Sequence, residues 1–273
     1  MDDTPPLGAY RAFQDFAGPR LWGPGNTWRA TYGRGVVADL AEGLRAHPAA
    51  VHQRFPGKAE AYPVVLGCVP WITSREVVDA LLAIGNYCVV VDKSAYGPQL
   101  DRLSSEGEGV WQMLLRDLQD WGPSDEGGRH PVVHPYHMPG DRGLEPVRVV
   151  GWRQRGKEKV PLLHAKLAVC CAAYTWESDG GGWDDHLLPM SVWMGSANWT
   201  TASQWHIEFG AWSHDEALAK DSLDFLTAVI KLSEPQGSVA GRPSPELVAG
   251  EWDDDAFAEL MSEYSEAEEP EPE

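Results

Sequence analysis

One stretch restricts the fold more than any other. Residues 62–69, Tyr-Pro-Val-Val-Leu-Gly-Cys-Val, form a continuous apolar run of buried-strand length. Thr73 or Ser74 can then cap a helix over 75–84, with Val77, Val78, Leu81 and Leu82 on one face. Residues 87–91, Tyr-Cys-Val-Val-Val, make a second buried strand. Strand, helix and strand in about 30 residues are a βαβ unit, hence a parallel pair joined by a right-handed crossover. Such a sheet must be covered on both faces. The rest of the chain reads accordingly. Helices are expected over 36–47, 110–121 and 215–232, strands over 147–154, 161–172, 189–194 and 205–213, a short helical turn over 199–204, and a loop insertion over 175–189 with Gly180-Gly181-Gly182 at its tip. Alternating strands and helices predict an α/β sandwich.

Charge divides the chain. Its formal net charge is −19, and residues 251–273 carry eleven acids and no base, which leaves −8 for the rest. The expected organisation is an N-terminal extension over 1–62, a folded unit over 63–250 and an acidic tail over 251–273, either a solubility tail or a mimic of nucleic acid shielding a basic groove. An acidic body argues against broad, non-specific DNA binding. The four cysteines, Cys68, Cys88, Cys170 and Cys171, lie in apolar runs without CxxC spacing and read as buried thiols. No apolar run is long enough to span a bilayer and Asp2-Asp3 stands where a signal peptide needs base, so the expected location is the cytoplasm.

Chemistry concentrates in two strands. In Leu163-His164-Ala165-Lys166-Leu167, His164 and Lys166 share one face of a strand while Leu163, Ala165 and Leu167 take the other. Two ionisable groups in a core strand are costly unless something requires them. Further on, a strand ends in Gly195-Ser196-Ala197-Asn198 and turns towards a helix, collecting a hydroxyl, a carboxamide and free backbone amides suited to a phosphate oxyanion. Glu208 follows ten residues after Asn198. The segment His130-Pro131-Val132-Val133-His134-Pro135-Tyr136-His137 is a loop whose histidines lack a carboxylate or cysteine partner for a metal. Of the thirteen tryptophans, Trp193, Trp199, Trp205 and Trp212 surround the motif, as core or as a wall for stacked bases.

His164-x-Lys166 with Gly195-Ser196-x-Asn198 and Glu208 resembles the signature of the phospholipase D superfamily, in its short nuclease-like members, over about residues 63–232. The resemblance implies an α-β-α sandwich with a mixed β-sheet and one HxK/GSxN half per chain. It implies a phosphodiesterase in which His164 attacks phosphorus, Lys166, Ser196 and Asn198 hold the nonbridging oxygens, and Glu208 orients the imidazole. It implies no metal and no cofactor, and a homodimer that pairs two copies of His164, since one HxK occurs per chain. The pattern's Asp would fall at position 171, which is Cys171 here; tyrosyl-DNA phosphodiesterases also lack that Asp. On a regular strand, position 171 faces away from His164 and Lys166, a supporting place. Nucleic acid is the expected substrate. A phospholipase or headgroup transferase, or a catalytically silent binding module of the same fold, are the other readings.

Overall fold

The computed structural model of the chain describes residues 20–22, 27–58, 60–124, 129–134, 137–153, 162–177, 183–238, 240–255, 257–259 and 262. Among these, one sheet holds nine strands: β1 (Arg20–Trp22), β2 (Trp28–Tyr32), β3 (Tyr62–Val69), β4 (Tyr87–Asp92), β5 (Val147–Val150), β6 (Leu167–Glu177), β7 (Trp183–Gly195), β8 (Phe209–Ser213) and β9 (Glu234–Pro235). Their order across the sheet is β1-β2-β8-β7-β6-β3-β4-β5-β9. β3, β4 and β5 run parallel, as the βαβ reading requires, and the remaining neighbours pair antiparallel. The sheet is therefore mixed.

Helices α1 (Val36–Arg54), α2 (Arg75–Ile84) and α3 (Pro98–Glu106) cover one face, where Leu40, Leu44, Val78, Leu81 and Leu103 meet Val65, Val89, Ala168 and Trp193. Helix α4 (Glu216–Lys231) and the turns after residue 111 cover the other, where Leu114, Leu118, Leu226 and Ile230 meet Leu66, Cys88, Val169 and Cys171. This is an α-β-α sandwich. Asp215 caps α4 by accepting from the Leu218 amide at 2.8 Å.

Several elements differ from the sequence reading. Residues 28–54, placed there in an N-terminal extension, supply β2 to the main sheet and α1 to its core. α1 runs on past Pro48 to Arg54. The proline forfeits one helical hydrogen bond, but burial of Val51 one turn later holds the continuation. The helix expected over 110–121 is instead a short strand, Val110–Trp111, followed by 3-10 turns at Gln112–Leu114 and Arg116–Leu118. Its apolar stripe is real, since Leu114, Leu115 and Leu118 are buried, but the buried Gln112 amide donates to Leu118 O and Trp121 O, both at 2.6 Å, and closes a loop. The insertion expected over 175–189 is largely the two arms of the β6–β7 hairpin; Gly180-Gly181-Gly182 lie outside the described residues. A bulge between Cys170 and Cys171 lies opposite Pro189, which cannot donate to the ladder. The strand expected over 147–154 stops at Val150. The acidic tail begins as a strand, Glu251–Trp252, paired with Val132–Val133; residues 263–273, like 1–19, lie outside the described residues.

At Gly43, α1 packs closely against β8. A Cβ there would sit 2.2 Å from the Trp212 ring of β8. Gly→Ala in a helix ordinarily stabilises by about 1 kcal/mol. Here Gly43→Ala should instead destabilise by about 1–3 kcal/mol through overpacking, read as a lower denaturant midpoint. A raised midpoint would show that Trp212 swings aside freely.

Candidate active site

The C-terminal ends of β3, β4, β5 and β7 and the N-terminal ends of β6 and β8 share one edge of the sheet, since Leu167 pairs with both Cys68 and Met194, and Gly195 pairs with Gly210. Carboxyl ends of strands in open α/β sheets are where ligands bind. The sequence motifs come together there. The strand expected from residue 161 begins only at Leu167, so His164 and Lys166 lie just before it. Side-chain alternation nonetheless extends through them: Leu163, Ala165 and Leu167 pack on the α4-side core. His164 is exposed and Lys166 is buried, so the pair differs in depth.

The Lys166 ammonium donates to the His164 carbonyl at 2.7 Å, and Gly195 N donates to the Lys166 carbonyl at 3.2 Å. The hairpin register thus carries the Gly195-Ser196 corner to Lys166. Gly195 is required at that corner, because a Cβ would lie 2.4 Å from the Phe209 carbonyl. Ser196 N donates to Phe209 O at 2.9 Å, and the Ser196 hydroxyl accepts from Phe209 N at 3.0 Å while donating to Glu208 Oε2. The other Glu208 oxygen lies 3.8 Å from His206 Nδ1. The resemblance gives Glu208 the His164 ring as partner; among the described residues the Glu208 carboxylate faces Ser196 and His206 instead. Asn198 Oδ1 is buried, with no hydrogen-bond partner among the described residues.

Burial pushes the Lys166 ammonium below its ordinary value, with Glu208 and Cys68 opposing. Between that lowered value and 10.5, the unfolded chain holds a proton the folded chain has released. Stability relative to a Lys166→Met variant should therefore rise with pH through that window and stay level below it. Paired denaturant titrations from neutral pH upward measure wild-type minus variant stability, and a difference that falls with pH would contradict this environment for the lysine.

Cys171 points into the α4-side core, away from Lys166, and its carbonyl accepts from His47 Nε2 at 2.8 Å. Burial pushes its thiol well up, so it is an apolar packing residue. Three of the four motif tryptophans are core: Trp193, Trp199 and Trp212 are buried. The Trp199 carbonyl accepts from the amides of Thr73 and Ser74, tying the start of α2 to the motif turn; Ser74 holds the N-cap position without a side-chain cap bond. Trp205, at the end of the 3-10 turn Thr201–Trp205, is 72% exposed, with the Arg34 guanidinium 5.2 Å from its ring centre. The sequence reading missed His206 and Arg34, because neither stands in a motif. In the histidine-rich loop, His130 Nδ1 donates to Ala249 O at 2.7 Å, and no group of three metal-ligating side chains occurs among the described residues.

No family model and no curated protein matches the chain. Among solved structures it is similar to NucT from Helicobacter pylori, at 10% identity and a TM-score of 0.45 over 76% of this chain and 98% of that one. It is similar to Nuc from Salmonella typhimurium, described as a phospholipase D family member, at 12% identity and a TM-score of 0.39 over 76% and 97%. Polyphosphate kinase from Porphyromonas gingivalis is similar at 14% identity and a TM-score of 0.41, over 94% of this chain and 31% of that one. At these identities and scores, the functional case rests on the residues of the site. Fold and site together define an α/β sandwich with a His-Lys, Ser-Asn and Glu cluster at the carboxyl edge of its mixed sheet.

Proposed function

We propose that the protein is a phosphodiesterase of the phospholipase D kind, acting through a phosphohistidine on His164, with nucleic acid as its substrate class. The observation that carries the reading is the gathering of a buried lysine, Lys166, with Ser196 and Glu208 at one sheet edge beside the exposed His164. Lys166 makes no salt bridge among the described residues, a buried ammonium so placed is costly, and a substrate phosphate would supply a close counter-charge. Lys166, Ser196 and Asn198 would hold the nonbridging oxygens while His164 Nε2 attacks phosphorus. The exposed Trp205, with the Arg34 guanidinium over its ring, supports a nucleic-acid substrate, since bases stack on such rings and a cation meets their phosphates. No helix among the described residues is long and apolar enough to cross a membrane.

The test is hydrolysis of bis(4-nitrophenyl) phosphate, single-stranded DNA, RNA and phosphatidylcholine vesicles by the full chain, with and without EDTA. Cleavage of the aryl ester and of nucleic acid, unchanged by EDTA, is expected. Cleavage of phosphatidylcholine alone would move the protein to the phospholipases, and binding without turnover would make it a silent module. For the leaving-group proton the resemblance points to a homodimer, in which a second copy contributes its own His164 to the same phosphate. Mixing wild type with His164→Ala distinguishes the sources. Excess variant should suppress wild-type activity if the acid comes from a second copy, and should only dilute it if the acid lies within the chain.

A further inference from the structure

The groups that would hold phosphate are framed by two exposed indoles. The corner Gly195-Ser196-Ala197-Asn198 leaves β7 and crosses the start of β6, where Gly195 N meets the Lys166 carbonyl. It then reaches the segment after β3. There Trp199 forms a parallel bridge with Ile72, and its carbonyl accepts from Thr73 N at 2.9 Å and Ser74 N at 3.0 Å. That bridge sets Trp71 alongside Asn198. Ile72 and Trp199 are both buried, so Trp71, one residue earlier, turns away from the core and is 41% exposed. On the other side of the corner, Ser196 exchanges hydrogen bonds with Phe209 at the start of β8. The Glu208 carbonyl accepts from Gly33 N at 2.7 Å, which brings Arg34 to the same place, with its guanidinium over the ring of the exposed Trp205. In the sheet order β8-β7-β6-β3, Trp205 therefore stands on the β8 side and Trp71 on the β3 side. Lys166, Ser196 and Asn198 lie between them.

We propose that Trp71 and Trp205 are base-stacking residues on the two flanks of the phosphate site, so that the protein takes an unpaired nucleic acid strand and holds it at an internal phosphate. The proposal rests on the reading of nucleic acid as the substrate class, and adds the state of the strand and the residues that select it. A single exposed indole carries no meaning by itself. Two that bracket a phosphate site are placed as bases are along a strand, on either side of a phosphate, and every base has a face to stack. β3 and β8 are three strand spacings, about 14 Å, apart. Bases in a duplex repeat every ~3.4 Å along each strand and cover one another's faces, so exposing one means extruding it from the stack. A strand without a complement opens to that spacing and offers its faces freely. Arg34 adds a cation on the β8 side for a backbone phosphate there. Lys166, Ser196 and Asn198 meet only phosphate oxygens and do not tell strand from duplex; the two tryptophans do.

Binding and cleavage of matched oligodeoxynucleotides by the full chain, at one fixed salt concentration, test this. The probes are a fluorescently labelled single strand, the same strand annealed to its complement, and a strand of equal length lacking bases. Trp71→Ala and Trp205→Ala should each weaken binding of the single strand by about 5–150-fold, the range for losing one stacked base. In cleavage the loss should fall on KM with kcat retained, because stacking holds bound substrate and transition state alike. Trp71→Phe should recover most of the loss, and the abasic strand should bind wild type and variants equally. The duplex should bind more weakly than the single strand. Single-strand binding unchanged in either alanine variant overturns the two-sided assignment. Equal losses on the base-bearing and abasic strands overturn it as well, and mark the rings as folding elements or as a contact between copies. So does a duplex bound as tightly as the single strand. Binding that depends on both tryptophans without any cleavage upholds the assignment and overturns the phosphodiesterase reading. Turnover of bis(4-nitrophenyl) phosphate with no binding of any oligonucleotide does the reverse.

Discussion

Replacing His164 by alanine should lower the turnover of every phosphodiester the protein hydrolyses by about 10⁴-fold or more, equivalent to about 5.5 kcal/mol in the barrier. The expected loss is large because a nucleophile has no substitute, whereas removing one stabilising donor typically costs about 10²–10³-fold. His164 is exposed and lies before β6, so its removal should leave the unfolding midpoint unchanged. Acid-labile, base-stable labelling of the wild-type protein by a phosphorus-labelled substrate, absent from the variant, would identify the phosphohistidine directly. Turnover of the variant within about tenfold of wild type would remove His164 from the reaction, and Lys166 and Glu208 would then need another explanation.

The second large effect concerns stability. Lys93 and Glu234 form a salt bridge at 2.6 Å with both side chains 1% exposed, and Lys93 also donates to Arg242 O at 3.0 Å. Glu234 accepts from the Ser244 amide at 2.7 Å and from the Ser238 hydroxyl. One ladder position away, the buried Arg148 donates to Ser233 Oγ at 2.7 Å and to Glu246 at 2.9 Å, and pairs with Glu145. These two ion clusters fasten residues 233–238 and 242–246 at the far edge of the sheet. Lys93→Met leaves a buried carboxylate uncompensated and should destabilise the fold by about 3–5 kcal/mol. Lys93→Met with Glu234→Leu should recover much of that loss, because both charges are then gone. Denaturant unfolding of the two variants measures the difference. A single variant as stable as wild type would mean that water already reaches the pair.

Much of the core was legible because apolar runs have only a few ways to be buried. The run 62–69, helix 75–84 and run 87–91 stand as β3, α2 and β4, with β3 and β4 parallel. The stripe of Leu114, Leu115 and Leu118 was legible as buried but not as a loop. Helical periodicity reports which residues face the core; what bent this segment was the Gln112 amide finding carbonyls across the turn. Segment 28–54 was illegible as part of the sheet, because β2 pairs with β8, some 180 residues away, and no local pattern encodes a long-range edge.

For the site, the sequence by itself determined the residue types: an imidazole and an amine two apart among apolar neighbours, and a glycine corner carrying a hydroxyl and a carboxamide. It also determined that Leu163, Ala165 and Leu167 pack on the opposite side, since alternation follows from local backbone geometry. Only the tertiary structure decided depth and partnership. Lys166, next to the start of the strand and held at its carbonyl by Gly195 N, is buried, while His164 two residues further out is exposed. Glu208 faces His206 and Ser196 because the 3-10 turn and β8 return beside the end of β7, a placement set by strand pairing over the whole sheet. Local rules fix which way a side chain points from its own backbone; which distant side chain it meets depends on the packing of every element between them.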